Sequence, residues 1–586
     1  MHKSAPLLVT CLFGLSLAGC ASITGLGGTS AVDETTGTNK QDGIGQTSSE
    51  PAIEYADFEP ETLYLLLSAE IAAQRGRYDV TLVNYLRAAQ QSRDKNVIER
   101  AMRIAQSLNG DNAQKQLAEL WLDVDPGNLQ ALRVSAIQAV KRNELEAALG
   151  YMEKILDQGG DADFDSLAAM AGNLPPEQQQ ELLALYEEMA KRHPDTPELE
   201  YSIALLLKIT GAPKAALIRL EPLIAEKPNF QPAIILKGDL LYQSDKKNEA
   251  LDHLMVNTRR FPANRQMGTL YGRMLISEGE LQAAQDEFNR LVKRYPDNPG
   301  LRLSHALVAL ENGELELAKE ELTRLTEQGH HTSEASYYLG RIEDEAGNTE
   351  QAIGYYQSVE QGNYYFPSLA RASALLAAEG RLEDALESIR SLRSANPERA
   401  ENFWLLEVNL LLDQGLRQEA LEVGSSALED YPENLQIRYA RAMLFDALEQ
   451  PGKAEEDLKR IVENNPENAV ALNALGYILS TRTDRLKEAR GYIEQALALD
   501  PDNPAILDSM GWVLFQEGQI EPALDYLSRA WAAYPDPEVA AHYGEALWMS
   551  GAEEQAEIIW KEGLEQNTDH DVLRETIERL TSKGSQ

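Results

Sequence analysis

Cysteine is almost absent from this sequence of 586 residues. The two that occur, Cys11 and Cys20, both lie within the first twenty positions. The rest of the chain therefore has no disulfide framework, no thiolate nucleophile and no cysteine ligand for a metal. A long stretch without thiols is compatible with an oxidising compartment.

Positive charge is also scarce. Lys and Arg number 54 against 94 Asp and Glu, which gives a formal net charge of −40 and a pI of about 4.6. A polyanion of this size repels nucleic acid at long range, so we expect no nucleic-acid partner. Basic protein faces fit this charge better. The excess of carboxylates has two explanations. It attracts a basic partner protein, or it only keeps a large protein surface soluble.

Motifs for catalysis and metal binding are missing as well. None of the eight histidines forms a His-Glu-x-x-His pair, and no Gly-x-Ser-x-Gly or P-loop sequence occurs. His330 and His331 are adjacent on a predicted turn, where neighbouring side chains rarely hold a metal without a third ligand. We predict a protein that is not an enzyme and has neither a metal site nor a cofactor.

Long apolar runs are absent too, and the one near the start is short. It extends from Leu7 to Leu17, whereas a membrane-spanning helix needs about 20 residues. The run ends in Leu17, Ala18, Gly19 and Cys20. This sequence resembles the lipobox of bacterial lipoproteins, in which small residues admit the signal peptidase and the cysteine thiol carries a diacylglycerol. The resemblance implies a signal peptide over 1–19 and a lipidated Cys20.

The residues after Cys20 indicate where the anchor lies and how the body is attached to it. Ala21 and Ser22, with no Asp, imply the outer membrane by resemblance to the lipoprotein sorting rule, with the chain facing the periplasm. Residues 22–50 are rich in Gly, Ser and Thr and have no apolar periodicity. We predict a lipidated, flexible tether over 20–57 with an r.m.s. span of roughly 35 Å.

From residue 58 onward the sequence repeats itself. Prolines recur every 34 or 35 residues in two series, Pro194, Pro228, Pro262 and Pro296, then Pro397, Pro432, Pro466, Pro501 and Pro535. A fixed period in this range indicates supersecondary units stacked one on another.

Each period has the pattern of two amphipathic helices. The period from 504 to 535 has Leu507, Met510, Gly511 and Leu514 on a first helix, Gly518 at a turn, and Ala523, Leu527 and Ala530 on a second helix. Small residues let the two helices approach, Gly takes the positive φ of the turn, and Pro stops the second helix. These positions resemble the tetratricopeptide repeat over 60–566. The resemblance implies an all-α solenoid of about 15 helix-turn-helix repeats in a right-handed superhelix.

Irregular stretches divide this body. We predict N-terminal repeats over 58–159, a degenerate repeat or break over 160–193, and a main array over 194–566. Pro175 and Pro176 interrupt the second of these segments. A polar-faced helix within 567–586 fits the capping role that an exposed solenoid end requires.

The repeat register also predicts a binding surface. In such a solenoid the first helix of each repeat lines the concave wall. Its inward positions select Arg341, Tyr439, Asn473, Tyr477, Asp508, Trp512 and Phe515 as partner-binding residues. Exposed aromatic side chains are common binding anchors, and a strip of them suits an extended or helical peptide. Coverage of these rings by neighbouring repeats is the alternative explanation.

Lipoproteins built from such repeats resemble the NlpI- and LbcA-type adaptors of carboxyl-terminal processing proteases. A lipobox, a long tether and about 500 residues of repeats are most similar to the LbcA type, because the NlpI type is a short array. The resemblance implies a non-catalytic scaffold that binds such a protease together with cell-wall (murein) hydrolases and promotes their proteolysis. The alternative is an assembly factor for an outer-membrane complex, of the pilotin, barrel-assembly or exporter type. The first hypothesis predicts co-purification with a protease, and the second with a membrane complex.

Overall fold

The computed structural model describes residues 59–568 and 570–582. The lipobox residues Leu17, Ala18, Gly19 and Cys20 and the predicted tether lie outside the described residues. Within the described ranges the chain forms α-helices and short 3-10 turns, with no strand. The chain divides into two compact units, the first ending at Ala162 and the second beginning at Asp163.

Three helix pairs form the first unit. They are α1 (Pro60–Gln74) with α2 (Tyr78–Ser92), α3 (Lys95–Ser107) with α4 (Asp111–Val124), and α5 (Leu129–Lys141) with α6 (Leu145–Asp157). Ile98, Met102 and Leu117 are completely buried in its core. Burial of such side chains supplies most of the stability of amphipathic helices this short.

The second unit begins with an irregular pair, α7 (Phe164–Met170) and α8 (Pro176–Arg192). Pro175 and Pro176 separate these helices because proline starts a helix readily but cannot continue one. The rings of Phe164 and Tyr186 pack edge to face at 6.2 Å, and the Tyr186 hydroxyl donates to the Phe164 carbonyl at 2.6 Å. This aromatic contact joins the two helices.

Eleven regular pairs follow in the described residues. They are α9 (Pro197–Ile209) and α10 (Pro213–Glu226), α11 (Gln231–Gln243) and α12 (Lys247–Arg260), α13 (Arg265–Ser277) and α14 (Leu281–Arg294), α15 (Pro299–Glu311) and α16 (Leu315–Glu327), α17 (Thr332–Glu345) and α18 (Thr349–Gln357), α19 (Tyr365–Ala378) and α20 (Leu382–Ala395), α21 (Ala400–Asp413) and α22 (Arg417–Asp430), α23 (Leu435–Ala447) and α24 (Pro451–Asn464), α25 (Ala469–Arg482) and α26 (Leu486–Leu499), α27 (Pro504–Gln516) and α28 (Ile520–Ala533), and α29 (Pro537–Met549) and α30 (Glu553–Gln566). With the four pairs before them they make fifteen, so the predicted all-α repeat solenoid is confirmed.

The boundary between repeats is set by proline and asparagine together. The sequence Pro-x-Asn recurs there, and the Asn side chain accepts a hydrogen bond from the first turn of the next helix. Asn298 accepts from the Leu301 amide at 3.0 Å and Asn468 from the Ala471 amide at 3.0 Å. The Asn side chain therefore caps a helix start whose amides would otherwise lack partners.

The turn inside each pair needs a left-handed backbone. Gly518 has φ of 79° after α27, as the sequence predicts. In other pairs Asp245 and Glu449 take the same conformation with φ of 60° and 58°. The turn therefore depends on position in the repeat, and glycine only makes that conformation free of steric cost.

Small residues permit the close contact of paired helices. A Cβ atom on Gly511 would lie 2.5 Å from Leu527 Cγ of α28. No such atom fits, so the glycine is required for the spacing of α27 and α28.

Not every core position is apolar. Arg438 is buried, with 4% of its surface exposed, and it occupies the position that Leu472 occupies in the next repeat. The Arg438 guanidinium donates to Asp457 at 3.1 Å, and Arg441 donates to the same carboxylate twice at 2.7 Å. The buried acid is therefore paired with two arginines, which offsets the cost of removing it from water.

The C-terminal end is covered by α31 (Asp571–Thr581), which packs on α29. Leu573 is fully buried there, and Arg579 pairs with Glu545. In residues 59–568 and 570–582 no helix has both the length and the apolar character needed to cross a membrane.

Candidate functional site

In the second unit, the first helices of several successive pairs touch. Helix α25 contacts α27, and α27 contacts α29. The hydroxyl of Tyr477 on α25 also donates to the carboxylate of Glu538 on α29, past the intervening helix. Helices that converge in this way lie on the inner side of a curved stack. The first helices therefore form the inner wall, where the sequence predicts partner-binding residues.

The structure brings together five of the seven predicted residues. These are Asn473 and Tyr477 on α25 and Asp508, Trp512 and Phe515 on α27. The half-buried rings of Trp512 and Phe515 are stacked with centroids 5.3 Å apart. Trp512 also stacks on the imidazole of His542 from α29 at 4.1 Å, and the Tyr477 ring lies 6.2 Å from the same imidazole. We call Tyr477, Trp512, Phe515, Glu538 and His542 the aromatic notch.

Asp508 lies deeper than its predicted place on the open wall. It is 6% exposed, and its carboxylate oxygens lie 2.9 and 3.1 Å from His542 Nδ1, which donates to them. Burial acts to lower the pKa of His542. The charge and hydrogen bond of Asp508, together with the charges of Glu538 and Glu545, outweigh burial, so the pKa of His542 is raised above its ordinary value. An imidazolium stacked on Trp512 is a favourable cation–π arrangement.

Glu538 differs from Asp508 and Glu545, the other acidic residues near the notch. Its carboxylate accepts from the Tyr477 hydroxyl, and no Lys, Arg or His side chain pairs with it in the described part of the chain. Glu545 by contrast pairs with Arg579. Burial, and then the charge and hydrogen bond of Glu538, raise the pKa of Tyr477 well above its ordinary range. Three carboxylates of this cluster therefore meet two described cations, His542 and Arg579, so the notch keeps one negative charge.

Polar side chains fix the edges of the notch. The Asn473 amide donates to the Ala505 carbonyl at 3.5 Å, which ties α25 to the start of α27. Oriented to satisfy both neighbours, the Gln516 amide accepts from Trp512 Nε1 at 2.6 Å and donates to the Ser480 carbonyl at 2.8 Å. The indole ring is thus held by its nitrogen.

The other two predicted residues lie elsewhere on the array. Arg341 is on α17, where its guanidinium lies 5.9 Å from the Tyr338 ring and 3.4 Å from the Glu345 carboxylate. Tyr439 is on α23, half-buried against the core, and burial raises its pKa. Neither residue belongs to the aromatic notch.

The sequence reasoning missed His542 and Glu538. His542 and Asp508 are 34 residues apart, so they occupy equivalent positions in neighbouring repeats. Aligning the repeats and searching for complementary residues one period apart would have found this pair. Glu538 occupies an inward position of α29, but the register alone gives no reason to choose it over other acidic residues.

Candidate metal ligands do not converge. Within 59–568 and 570–582 no three His, Cys, Asp or Glu side chains are placed to hold one ion. The aromatic notch brings aromatic rings and carboxylates together on the inner wall. Aromatic side chains with a polar rim are typical of surfaces that bind proteins.

Comparison with known proteins agrees with this architecture. Family models described as tetratricopeptide repeat match residues 266–298, 303–365, 439–504 and 482–542. A TPR repeat-containing protein of Pseudomonas aeruginosa is 38% identical over 583 residues, which cover 99% of this chain and 97% of that protein.

Solved structures also resemble the chain. A tetratricopeptide repeat protein from Parabacteroides merdae is 16% identical with a TM-score of 0.34, over 42% of this chain and 98% of that one. A chain of the APC/C hetero-tetramer Cut9–Hcn1 is 13% identical with a TM-score of 0.31, over 89% of this chain and 96% of that one. The relative that matches almost the whole length is decisive, and the chain belongs to the tetratricopeptide repeat proteins, which are scaffolds for protein–protein interaction.

Proposed function

We propose that this chain is a non-catalytic scaffold, anchored in the outer membrane by a lipid on Cys20 and facing the periplasm. It binds a carboxyl-terminal processing protease together with cell-wall hydrolases and promotes their proteolysis. The observation that carries the proposal is the combination of a sequence at 17–20 that resembles a lipobox with repeated helix pairs, whose first helices in the second unit bring aromatic and acidic side chains together.

The physical advantage of such a scaffold is effective concentration. Two proteins held on one array meet as if they were parts of one molecule, at millimolar effective concentration for short spans. The protease supplies the catalysis, and this chain contributes only binding. The relative that matches 99% of the chain has a name that also describes repeats and no reaction.

The proposal is tested by affinity purification from detergent-solubilised envelopes, with the lipidated protein as bait and bound proteins identified by mass spectrometry. Recovery of a carboxyl-terminal processing protease with murein hydrolases supports it. Recovery of a secretin, barrel machinery or exporter without a protease contradicts it and favours the assembly-factor alternative. A Cys20→Ser bait controls for contacts that depend only on the shared membrane.

A reconstituted assay then separates scaffold from catalyst. The purified protease and a recovered hydrolase are incubated with and without this chain. We expect hydrolase degradation to accelerate when the chain is added, and no cleavage by the chain alone. Cleavage by the chain alone would show that it is an enzyme.

A further inference from the structure

The aromatic notch has an unbalanced negative charge beside aromatic rings. Asp508 is balanced by His542, and Glu545 by Arg579. Glu538 is half-buried and accepts a hydrogen bond from the Tyr477 hydroxyl, and no described Lys, Arg or His side chain forms an ion pair with it. A partly buried carboxylate without a counter-charge attracts a cation more strongly than one in open water, because the local dielectric constant is lower.

The rings next to this carboxylate suit a cation as well. Trp512 and Phe515 are stacked and half-buried, and aromatic faces attract ammonium and guanidinium groups. The methylene stem of a long basic side chain also packs on such rings while its charged end reaches a carboxylate. Aromatic rings and an acceptor therefore occur in one cluster, since Tyr477 donates to Glu538 and both Tyr477 and Trp512 contact the His542 ring.

We propose that the aromatic notch binds an arginine or lysine side chain of a partner protein, with its charge paired to Glu538 and its stem against Trp512 and Phe515. The net charge of −40 brings basic segments to the array, and the notch selects one side chain at close range. This inference rests on the proposed scaffold function only in requiring a protein partner, whatever its identity.

The test measures peptide binding to the full-length lipidated protein in nonionic detergent by fluorescence anisotropy. The probe is a labelled peptide in which arginine alternates with glycine, and the matched peptide carries neutral citrulline in place of arginine. The buffer contains salt at about 0.15 M, where screening over about 8 Å suppresses diffuse attraction. We expect the arginine peptide to bind at least about tenfold more tightly than the citrulline peptide.

Two variants of equal charge decide where the peptide binds. Glu538→Gln is expected to weaken binding about tenfold, because it removes the paired carboxylate. Glu557→Gln changes the net charge equally at an exposed residue of α30 and is expected to change binding less than about twofold. Equal loss in both variants would mean that the acidic surface attracts any polycation, and it would overturn the proposal.

A third variant tests the rings. Phe515→Leu keeps an apolar side chain but removes an aromatic face, and we expect binding to weaken about threefold. Circular dichroism verifies that each variant keeps its helices. Unchanged affinity in both Glu538→Gln and Phe515→Leu would also reject the notch as the site.

The two proposals fail separately. Peptide binding that depends on Glu538, with no protease recovered from envelopes, rejects the protease adaptor and leaves the notch in place. Recovery of a protease, together with peptide binding that does not depend on Glu538, rejects only the proposal that the notch binds a basic side chain.

Discussion

His542 Nδ1 donates a hydrogen bond to the carboxylate of Asp508 at 2.9 Å, and the two residues lie one period of 34 apart. Equivalent positions on adjacent first helices therefore carry opposite charges. Both side chains are more than nine-tenths buried. The pair joins α27 to α29 and sets the position of the Trp512 ring that stacks on the imidazole.

Removing one member of this pair is expected to destabilise the C-terminal repeats. Asp508→Asn leaves the buried His542 without its counter-charge, and we expect the free energy of unfolding to fall by about 3 kcal/mol. Urea denaturation and hydrogen exchange of α27 and α29 measure the effect. Asp502→Asn is the control, because Asp502 forms an exposed pair with Arg529 at 3.8 Å and its loss is expected to cost under about 0.5 kcal/mol. Equal costs in the two variants would contradict the assigned pairing.

The same pair predicts a pH dependence. The pKa of His542 is raised in the folded protein, whereas in the unfolded chain it is about 6.5. Its contribution to stability is therefore complete below about pH 6.5 and is lost as the pH rises through the folded-state pKa. We expect the stability difference between the wild type and His542→Gln to shrink over this rise.

The comparison with the variant is needed because other histidines act in the opposite direction. Burial lowers the pKa of His305 and of His253, so their contributions are lost as the pH falls. Urea denaturation followed by tryptophan fluorescence, at several pH values for both proteins, gives the difference. A difference that does not change with pH would mean that the pKa of His542 is the same in the folded and unfolded chains, and a difference that shrinks as the pH falls would mean that folding lowers this pKa.

Close packing of paired helices predicts that replacing two glycines by alanine has opposite effects on stability. Gly511→Ala places a Cβ atom 2.5 Å from Leu527 Cγ, and we expect a loss of about 1–3 kcal/mol. Gly491→Ala on α26 meets nothing within 4 Å, so it is expected to stabilise the helix by about 0.5–1 kcal/mol. Urea denaturation of both variants provides the measurement. Similar changes in the two variants would show that helix propensity, rather than packing, governs these positions.

The lipobox predicts a change of location on a single substitution. Cys20→Ser removes the thiol that we propose carries the lipid, so the chain is expected to lose metabolic lipid labelling and to leave the washed outer-membrane fraction. Cys11→Ser changes the other cysteine, within the proposed signal peptide, and is expected to leave labelling and location unchanged. Membrane fractionation and immunoblotting measure both. Retention of the lipid label by Cys20→Ser would reject the lipobox.

The number of helix pairs was predictable because the signals are local. Gly518 marks a turn that a left-handed residue must occupy, and Gly511 marks a close approach. The Pro-x-Asn boundary was only half recognised from the prolines. The capping role of Asn298 and its equivalents becomes evident when the hydrogen bonds to the next helix are seen.

The binding surface was predictable in part. The register of the first helices selected Tyr477, Trp512 and Phe515, which the structure places in one cluster. It also selected Arg341, which lies on another helix with contacts of its own. The repeat register shows which side chains of one helix face inward. Whether those side chains form a cluster depends on which helices contact each other, and the register of one helix does not show this.

By itself, the sequence determined the all-α repeat architecture, its period and its helix boundaries, since these depend on spacing, glycine and proline along one chain. Only the tertiary structure decided that Asp508 is buried against His542 and that Glu538 is left with a hydroxyl as its side-chain partner. The reason is the curvature of the stack. Curvature brings α25, α27 and α29 together on one side, and the side chains that then contact each other are up to 61 residues apart in the chain.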